Sequence, residues 1–409
     1  MLKALPRNMT IGMLWPDDPE FFSIVHPYWH KFPVPDPLYH YFVGAFITIM
    51  CTTAILGNIL VITLFSLCKQ LRTPANLLII NLAINDLSFS MINGFPLKTI
   101  SSINQRWTWG KLACQLYGFI GGVAGFGSLT TNAMIALDRY FVIAQPIQAF
   151  TRMSYLRAFV MLAICWIWAL LWSLPPFFGI GYYIPEGFHT SCTFDYLSTD
   201  LGNMLFNAGM YIFGFMMPLM VICYCYYQIV KTVRRNEIEL MKMAQKLNAE
   251  NPTSMKSTDK KADVEAAKTS IILVLLYLVA WTPYAVVCLM VLLGKMDDLS
   301  PIGSELPVLF AKTSAVYNPI VYAIRHPKFR MELEKRFPIL LCCCPPKPKW
   351  FIILITGMRD KCIITTLKRE NSDASNVRWW NSGNTFASHV RCPEFKPRHG
   401  HLICTADEL

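Results

Sequence analysis

The stretch "LFAKTSAVYNPIVYAI", residues 309–324, decides the fold. Most of it is the apolar run of a bilayer-spanning helix, yet Lys312 stands among Leu, Phe, Ala and Val. An ammonium group at the centre of a membrane helix costs about 2.5–3.5 kcal/mol on insertion scales, so a lysine kept there has a use. Burial favours the neutral amine, and neutral amines condense with aldehydes. Pro319 lies lower in the same stretch. Proline removes a backbone hydrogen bond and kinks a helix. Asn318 can refill the freed polar sites, and Tyr322 follows one turn below.

The rest of the chain repeats the membrane pattern. Of 409 residues, 54% are apolar and 15% charged, against about a quarter charged in a soluble domain. The surplus falls in seven runs, roughly 41–67, 77–100, 112–143, 156–178, 204–230, 269–293 and 305–325. Each is near the ~20 residues a spanning helix needs. The third is rich in Gly, Ser and Thr, which let helices approach closely. The short alternating segments of a β-barrel are absent. The expected fold is an all-α membrane protein, a seven-transmembrane-helix bundle. Its domains are an outer tail (1–40), the bundle (41–325), a surface helix (326–338) and a cytoplasmic tail (339–409).

The net charge of +11 is not a nucleic-acid signature, because the basic residues cluster in particular connections. Lys69, Arg72 and Arg152 lie in two of them, Lys231, Arg234 and Arg235 in a third, and Lys328, Arg330 and Lys335 after the seventh run. The opposite loops hold Glu186, Asp195, Asp297 and Asp298. The positive-inside rule then puts the N-terminus outside and the C-terminus in the cytoplasm. No cleavable signal peptide is visible, so the first run serves as the targeting signal. Asn8 begins a glycosylation acceptor on the outer side. "HPYWHKFPVPDP" is Pro-rich and is expected to be extended rather than helical. "HPKFRMELEKRF" carries Phe329, Leu333 and Phe337 at helical spacing and reads as a short amphipathic helix on the membrane surface. Cys342, Cys343 and Cys344 follow as palmitoylation candidates. Of the fourteen cysteines, Cys114 and Cys192 both fall on the oxidising side and are the natural pair.

Polar residues inside the runs carry the remaining signal. Asp138 and Arg139 end the third run as an acid–base pair, and Tyr140 completes "DRY". "AWTPYA" places Pro283 as a second kink between Trp281 and Tyr284. Asn58, Asp86 and Asn318 suit an internal hydrogen-bond network. Lys312 is the only lysine read as lying well inside a run; Lys98 lies near the outer end of the second.

Asn58, "NLAIND", Cys114 with Cys192, "DRY", "WTP" and "NPIVY" occur in order at membrane-helix spacing. Together they resemble the rhodopsin-like G-protein-coupled receptors over residues 41–340. "FAKTSAVYNPIVY" is similar to the helix-seven signature of opsins, in which a lysine holds retinal as a Schiff base. The resemblance implies that Lys312 is that lysine. Vertebrate visual opsins place a counterion three residues after the helix-three cysteine, where this chain has Tyr117. Rhabdomeric opsins use an acidic loop position matched here by Glu186. Tyr117 with Glu186, "HPK" (His326, Pro327, Lys328) and "VHPYWHKFP" look like invertebrate rhabdomeric opsins. "MIALDRYFVIAQP" and residues 350–409 depart from a typical member.

The resemblance implies a light-activated receptor and not an enzyme. Its cofactor is 11-cis-retinal or a hydroxylated retinal derivative, packed near Trp281 and Tyr284, with Glu186 balancing the charge. Its partners are the lipid bilayer, a heterotrimeric G protein of the Gq class, arrestin and a receptor kinase. It resides in the cell membrane, in a rhabdomeric photoreceptor. Two rival readings use the same residues: a retinal photoisomerase that does not signal, and a chemoreceptor in which Lys312 is incidental.

Overall fold

The computed structural model describes residues 9–145, 153–246 and 258–337. Asn8, Arg152, Cys342, Cys343, Cys344 and the tail beyond 337 lie outside the described residues.

Helix α1 spans Pro37–Leu67. It starts at 37 rather than 41 because Asp36 accepts a hydrogen bond from the Leu38 amide and Pro37 occupies the first turn. Helix α2 runs over Asn76–Ile103 in two pieces that part just before Leu97. Helix α3 spans Gly110–Ile143. Helix α4, Tyr155–Ser173, stops short of the expected 178. Pro175 and Pro176 cannot donate to the preceding turn, and the chain leaves through the 3-10 turn Pro175–Phe178.

Strands β1 (Tyr183–Glu186) and β2 (Ser191–Phe194) form an antiparallel hairpin, with Pro185 opposite Cys192 and Glu186 opposite Ser191. Helix α5 is Leu201–Gly209, a π-helical stretch Met210–Met216, and Met217–Lys246. Helix α6 spans Thr258–Leu292, α7 Pro301–Arg325 and α8 Pro327–Arg336. Helices α1 to α6 are long and apolar enough to cross a membrane by length and composition. In α7, which makes the bundle seven-helical, Glu305, Lys312 and Asn318 are all buried. Helix α3 packs against α2, α4, α5 and α6, and α7 packs against α6, α1 and α2.

Two expectations are corrected, one in the Pro-rich N-terminal segment and one in α8. The segment "HPYWHKFPVPDP" is not simply extended, since Pro27–Lys31 form a 3-10 helix. The described part of the N-terminal region, from residue 9, also packs on the bundle. Ile11, Trp15, Phe21 and Trp29 are buried in one cluster with Trp107, Cys114, Tyr117 and Tyr196. Trp15 Nε1 donates to the Trp107 carbonyl (2.9 Å), and the Tyr28 hydroxyl donates to the Met296 carbonyl (2.6 Å). The aromatic rings supply the apolar area that offsets ordering a proline-rich chain. In α8, Phe329 and Leu333 are buried against Phe65 and Tyr322, but Phe337 is exposed. The helix ends at Arg336, so Phe337 leaves the apolar stripe.

Candidate functional site

A cavity of about 160 Å³ lies between α3, α5, α6, α7 and the hairpin. Phe89, Phe126, Phe194, Tyr211, Trp281 and Tyr284 are among the rings that line it, with Glu186 and Lys312 also on the wall. Glycines on α3 make the room. A Cβ on Gly125 would stand 3.0 Å from the Trp281 ring, and one on Gly122 would stand 2.7 Å from Phe194. The π-helical stretch of α5 turns Met210, Tyr211 and Phe215 into the wall. Trp281 is held by its ring stack on Tyr277 and by Nε1 donating to Ser314 Oγ (3.1 Å). The hydroxyls of Tyr284 and Thr193 are 2.6 Å apart and tie α6 to β2.

Lys312 is buried, and its Nζ donates to the Asn93 carbonyl (2.8 Å) and the Tyr117 hydroxyl (3.2 Å). Tyr117 itself donates to the same carbonyl (2.7 Å). The Phe89 ring lies 4.9 Å from Nζ. A disulfide joins Cys114 to Cys192 and fixes β2 to the start of α3. That brings Glu186, one position from the residue opposite Cys192, to the cavity wall. Its carboxylate accepts a hydrogen bond from Tyr196 (3.4 Å), whose hydroxyl also lies 2.8 Å from Ser304 Oγ. Burial pushes the Glu186 carboxyl up to about 7, opposed by the charges of Lys98 and Lys312. No ion pair joins Glu186 to Lys312 among the described residues.

At the other end of the bundle, Asp138 pairs with Arg139, and Arg139 Nη1 is 3.8 Å from Asp263 on α6. Arg325 reaches Glu265 at 3.7 Å. A smaller cavity there is lined by Asp138, Arg139, Thr269, Tyr322 and His326. Between the two ends, Asn318 Nδ2 donates to Asp86 (2.5 Å), which also accepts from Ser128 (3.1 Å). Asn58 Nδ2 donates to the carbonyls of Ala54 and Ala315.

The sequence profile described as "7 transmembrane receptor (rhodopsin family)" matches residues 57–322. The chain belongs to this rhodopsin family. It is 49% identical to the rhodopsin of Enteroctopus dofleini over 321 residues, 78% of this chain and 70% of that one. It is 42% identical to the "Rhodopsin, GQ-coupled" of Mizuhopecten yessoensis over 376 residues, 91% of this chain and 74% of that one. The crystal structure of squid rhodopsin superposes with a TM-score of 0.74 at 44% identity, covering 78% of this chain and 91% of that one.

Within this rhodopsin-family receptor, Lys312, Glu186, Tyr117, Trp281 and Tyr284 gather around the first cavity or its amine. Asp138, Arg139, Tyr322 and His326 share the second. Tyr140 packs on Tyr224, Pro319 lies inside α7, Pro327 opens α8 and Lys328 is exposed. Asn58, Asp86 and Asn318 form two hydrogen-bonded groups rather than one, among the bonds described. Sequence reasoning missed Asn93, Tyr196, Asp263 and Glu305. Lys98 lies near the outer end of α2 as read, but its full burial was not foreseen. The signal for Lys98 was present, since it falls inside the second apolar run with no neighbouring charge.

Proposed function

We propose that this light-activated G-protein-coupled receptor carries retinal covalently on Lys312 Nζ and signals to a Gq-class G protein. One observation carries the reading: a buried amine at the wall of a ring-lined cavity whose room depends on glycines. The residues fit the group. Phe126, Phe194, Tyr211 and Trp281 offer apolar faces to a polyene, and Lys312 is the amine on that wall. Bound retinal supplies light absorption and a change of shape. The chain supplies the rest. Asn93 and Tyr117 orient the Lys312 nitrogen, Glu186 is the acid that balances its charge, and the packed rings exclude water. Close packing around Trp281 turns a change of shape into a helix shift rather than a local yielding. Helix α6 then hinges at Pro283, and the Arg139–Asp263 contact opens.

The disulfide end faces outside and the Arg139 end faces the cytoplasm, where Lys231, Arg234, Arg235, His326, Pro327 and Lys328 border the G-protein crevice. Residues 1–40 are extracellular, 41–325 form the retinal-binding bundle, 326–338 the surface helix and 339–409 the cytoplasmic tail. Asn8 is the glycosylation site and Cys342, Cys343 and Cys344 the palmitoylation sites. The bound form is 11-cis-retinal or a hydroxylated derivative, arrestin and a receptor kinase end the signal, and the rhabdomeric photoreceptor membrane is its location. The name of the scallop relative supports Gq. The contact from Arg139 to α6 favours signalling over a photoisomerase, which has no need of it.

The test is one absorption spectrum of the protein reconstituted with 11-cis-retinal, with and without hydroxylamine, followed by light-driven calcium release in cells. A visible band that hydroxylamine bleaches, with calcium release, is the expected result. A band without calcium release favours the photoisomerase, and no band favours the chemoreceptor.

A further inference from the structure

Lys98 Nζ stands 2.6 Å from Glu305 Oε1, with both side chains essentially closed to solvent. Burying two charges is expensive, and removing one partner leaves the other uncompensated. The pair is also attached to the hairpin. Lys98 Nζ donates to Ser191 Oγ (2.8 Å), and the Phe188 amide donates to Glu305 Oε2 (3.4 Å). Ser191 lies opposite Glu186 across the hairpin, and Phe188 is two residues beyond it. The ion pair therefore grips at two points the turn of the hairpin that follows Glu186.

The charges around the hairpin balance in a specific way. Lys98 and Lys312 are the two cations, and Glu186 and Glu305 the two acids. At Glu186, after burial itself, the largest influence is the charge of Lys98, ahead of Lys312. The other acid in this set is Glu186, directly opposite the Ser191 that Lys98 already bonds. Glu305, not Glu186, holds Lys98 directly. The other titratable side chains facing this set are His40, Cys51, Tyr117, Tyr196, Tyr284 and Cys288, none of which is mainly charged at about pH 7.5 in its ordinary form.

We propose that Lys98 and Glu305 are positioning residues: Glu305 occupies the Lys98 ammonium and so reserves Glu186 for the cation on Lys312. This rests on the assignment of retinal to Lys312. The pair sets how readily the Lys312 nitrogen keeps its proton, and hence the fraction of dark receptor that absorbs visible light.

The experiment uses the full chain as wild type, Glu305→Gln, Lys98→Met and the double variant. In the retinal-free proteins, thermal melting is expected to drop in each single variant and to recover in the double one. In proteins reconstituted with 11-cis-retinal, the dark visible band is titrated with pH. Glu305→Gln frees Lys98 to compete for Glu186 and is expected to lower the titration midpoint by about one pH unit, a tenfold change. Lys98→Met leaves two acids for one cation and is expected to raise it. The double variant returns close to wild type. A merely structural pair would not move the midpoint in opposite directions. Single-variant losses that add in the double variant, or a Glu305→Gln midpoint equal to wild type, overturn the proposal. A wild type that forms no pigment overturns the Lys312 assignment and this allocation with it, and the retinal-free melts then report on the pair alone.

Discussion

The Lys312 amine lies 3.2 Å from the Tyr117 hydroxyl, and both groups converge on the Asn93 carbonyl. Neutral oxygens from α2 and α3 hold the nitrogen in place, while Glu186, the acid proposed to balance it, sits on a hairpin held by a disulfide. On that proposal, orientation and charge compensation come from different parts of the chain and can be removed separately.

Lys312→Ala removes the attachment point and leaves the Tyr117–Asn93 hydrogen bond standing. The variant is expected to fold and to show no visible band after incubation with 11-cis-retinal and removal of excess. A normal band would place the linkage on another lysine.

Glu186→Gln is expected to lower the midpoint at which the dark visible band is lost, because a nearby carboxylate favours the protonated nitrogen. Tyr117→Phe keeps the charge balance. It loses the hydroxyl shared by Lys312 and Asn93, which costs about 1 kcal/mol of stability. Its band is expected to titrate near wild type with slightly lower melting. Titrating the dark absorbance of both variants separates the two roles, and Glu186→Gln behaving like wild type would assign the balancing charge elsewhere.

Asp263→Ala removes the carboxylate facing Arg139 across α3 and α6. The Asp263 side chain is well exposed, and such pairs contribute about 0–1 kcal/mol. Signalling without light is therefore expected to rise by no more than about fivefold, measured as calcium release in the dark. Replacing His326, Pro327 and Lys328 should leave the absorption maximum unchanged and weaken the light response. They lie roughly 20 Å from Lys312 along α7 at about 1.5 Å per residue. A shifted maximum with intact signalling would contradict the placement of G-protein coupling at this end.

Burial lowers His326 to about 4, with Lys328 adding to the effect, and lowers His189 to about 3. An imidazole depressed in the folded state binds its proton more readily when unfolded, so stability falls as pH falls below the unfolded value. Retinal-free receptor is expected to lose on the order of 3 kcal/mol through His326 between about pH 6.5 and pH 4. Melting measured across that window checks the sign. His326→Gln should flatten the profile, and an unchanged slope would show that other groups dominate.

The helices were legible because a bilayer forces each spanning segment to be apolar and about twenty residues long. Lys312 was legible for the same reason, as a departure from a strong rule. Asn93 was not, since its contribution is a backbone carbonyl, which no side-chain pattern encodes, and its partner lies 219 residues away. Glu305 was read as the mere start of the seventh run, and Lys98 as the end of the second, because each looks tolerable at a boundary when its partner is unseen. The N-terminal region was misread because proline content argues locally for extension, whereas the burial of Trp15, Phe21 and Trp29 depends on surfaces supplied by distant segments.

That N-terminal packing changes how the protein should be handled at the bench. A minimal version trimmed to begin at Pro37 looks harmless in a hydropathy plot. It would discard the rings that shelter Trp107, Cys114 and Tyr117 and expose their faces to detergent and to neighbouring copies. Affinity tags and fusion partners belong upstream of residue 9 or at the opposite terminus. A shortened preparation that clumps would then report a missing roof, not a badly chosen detergent.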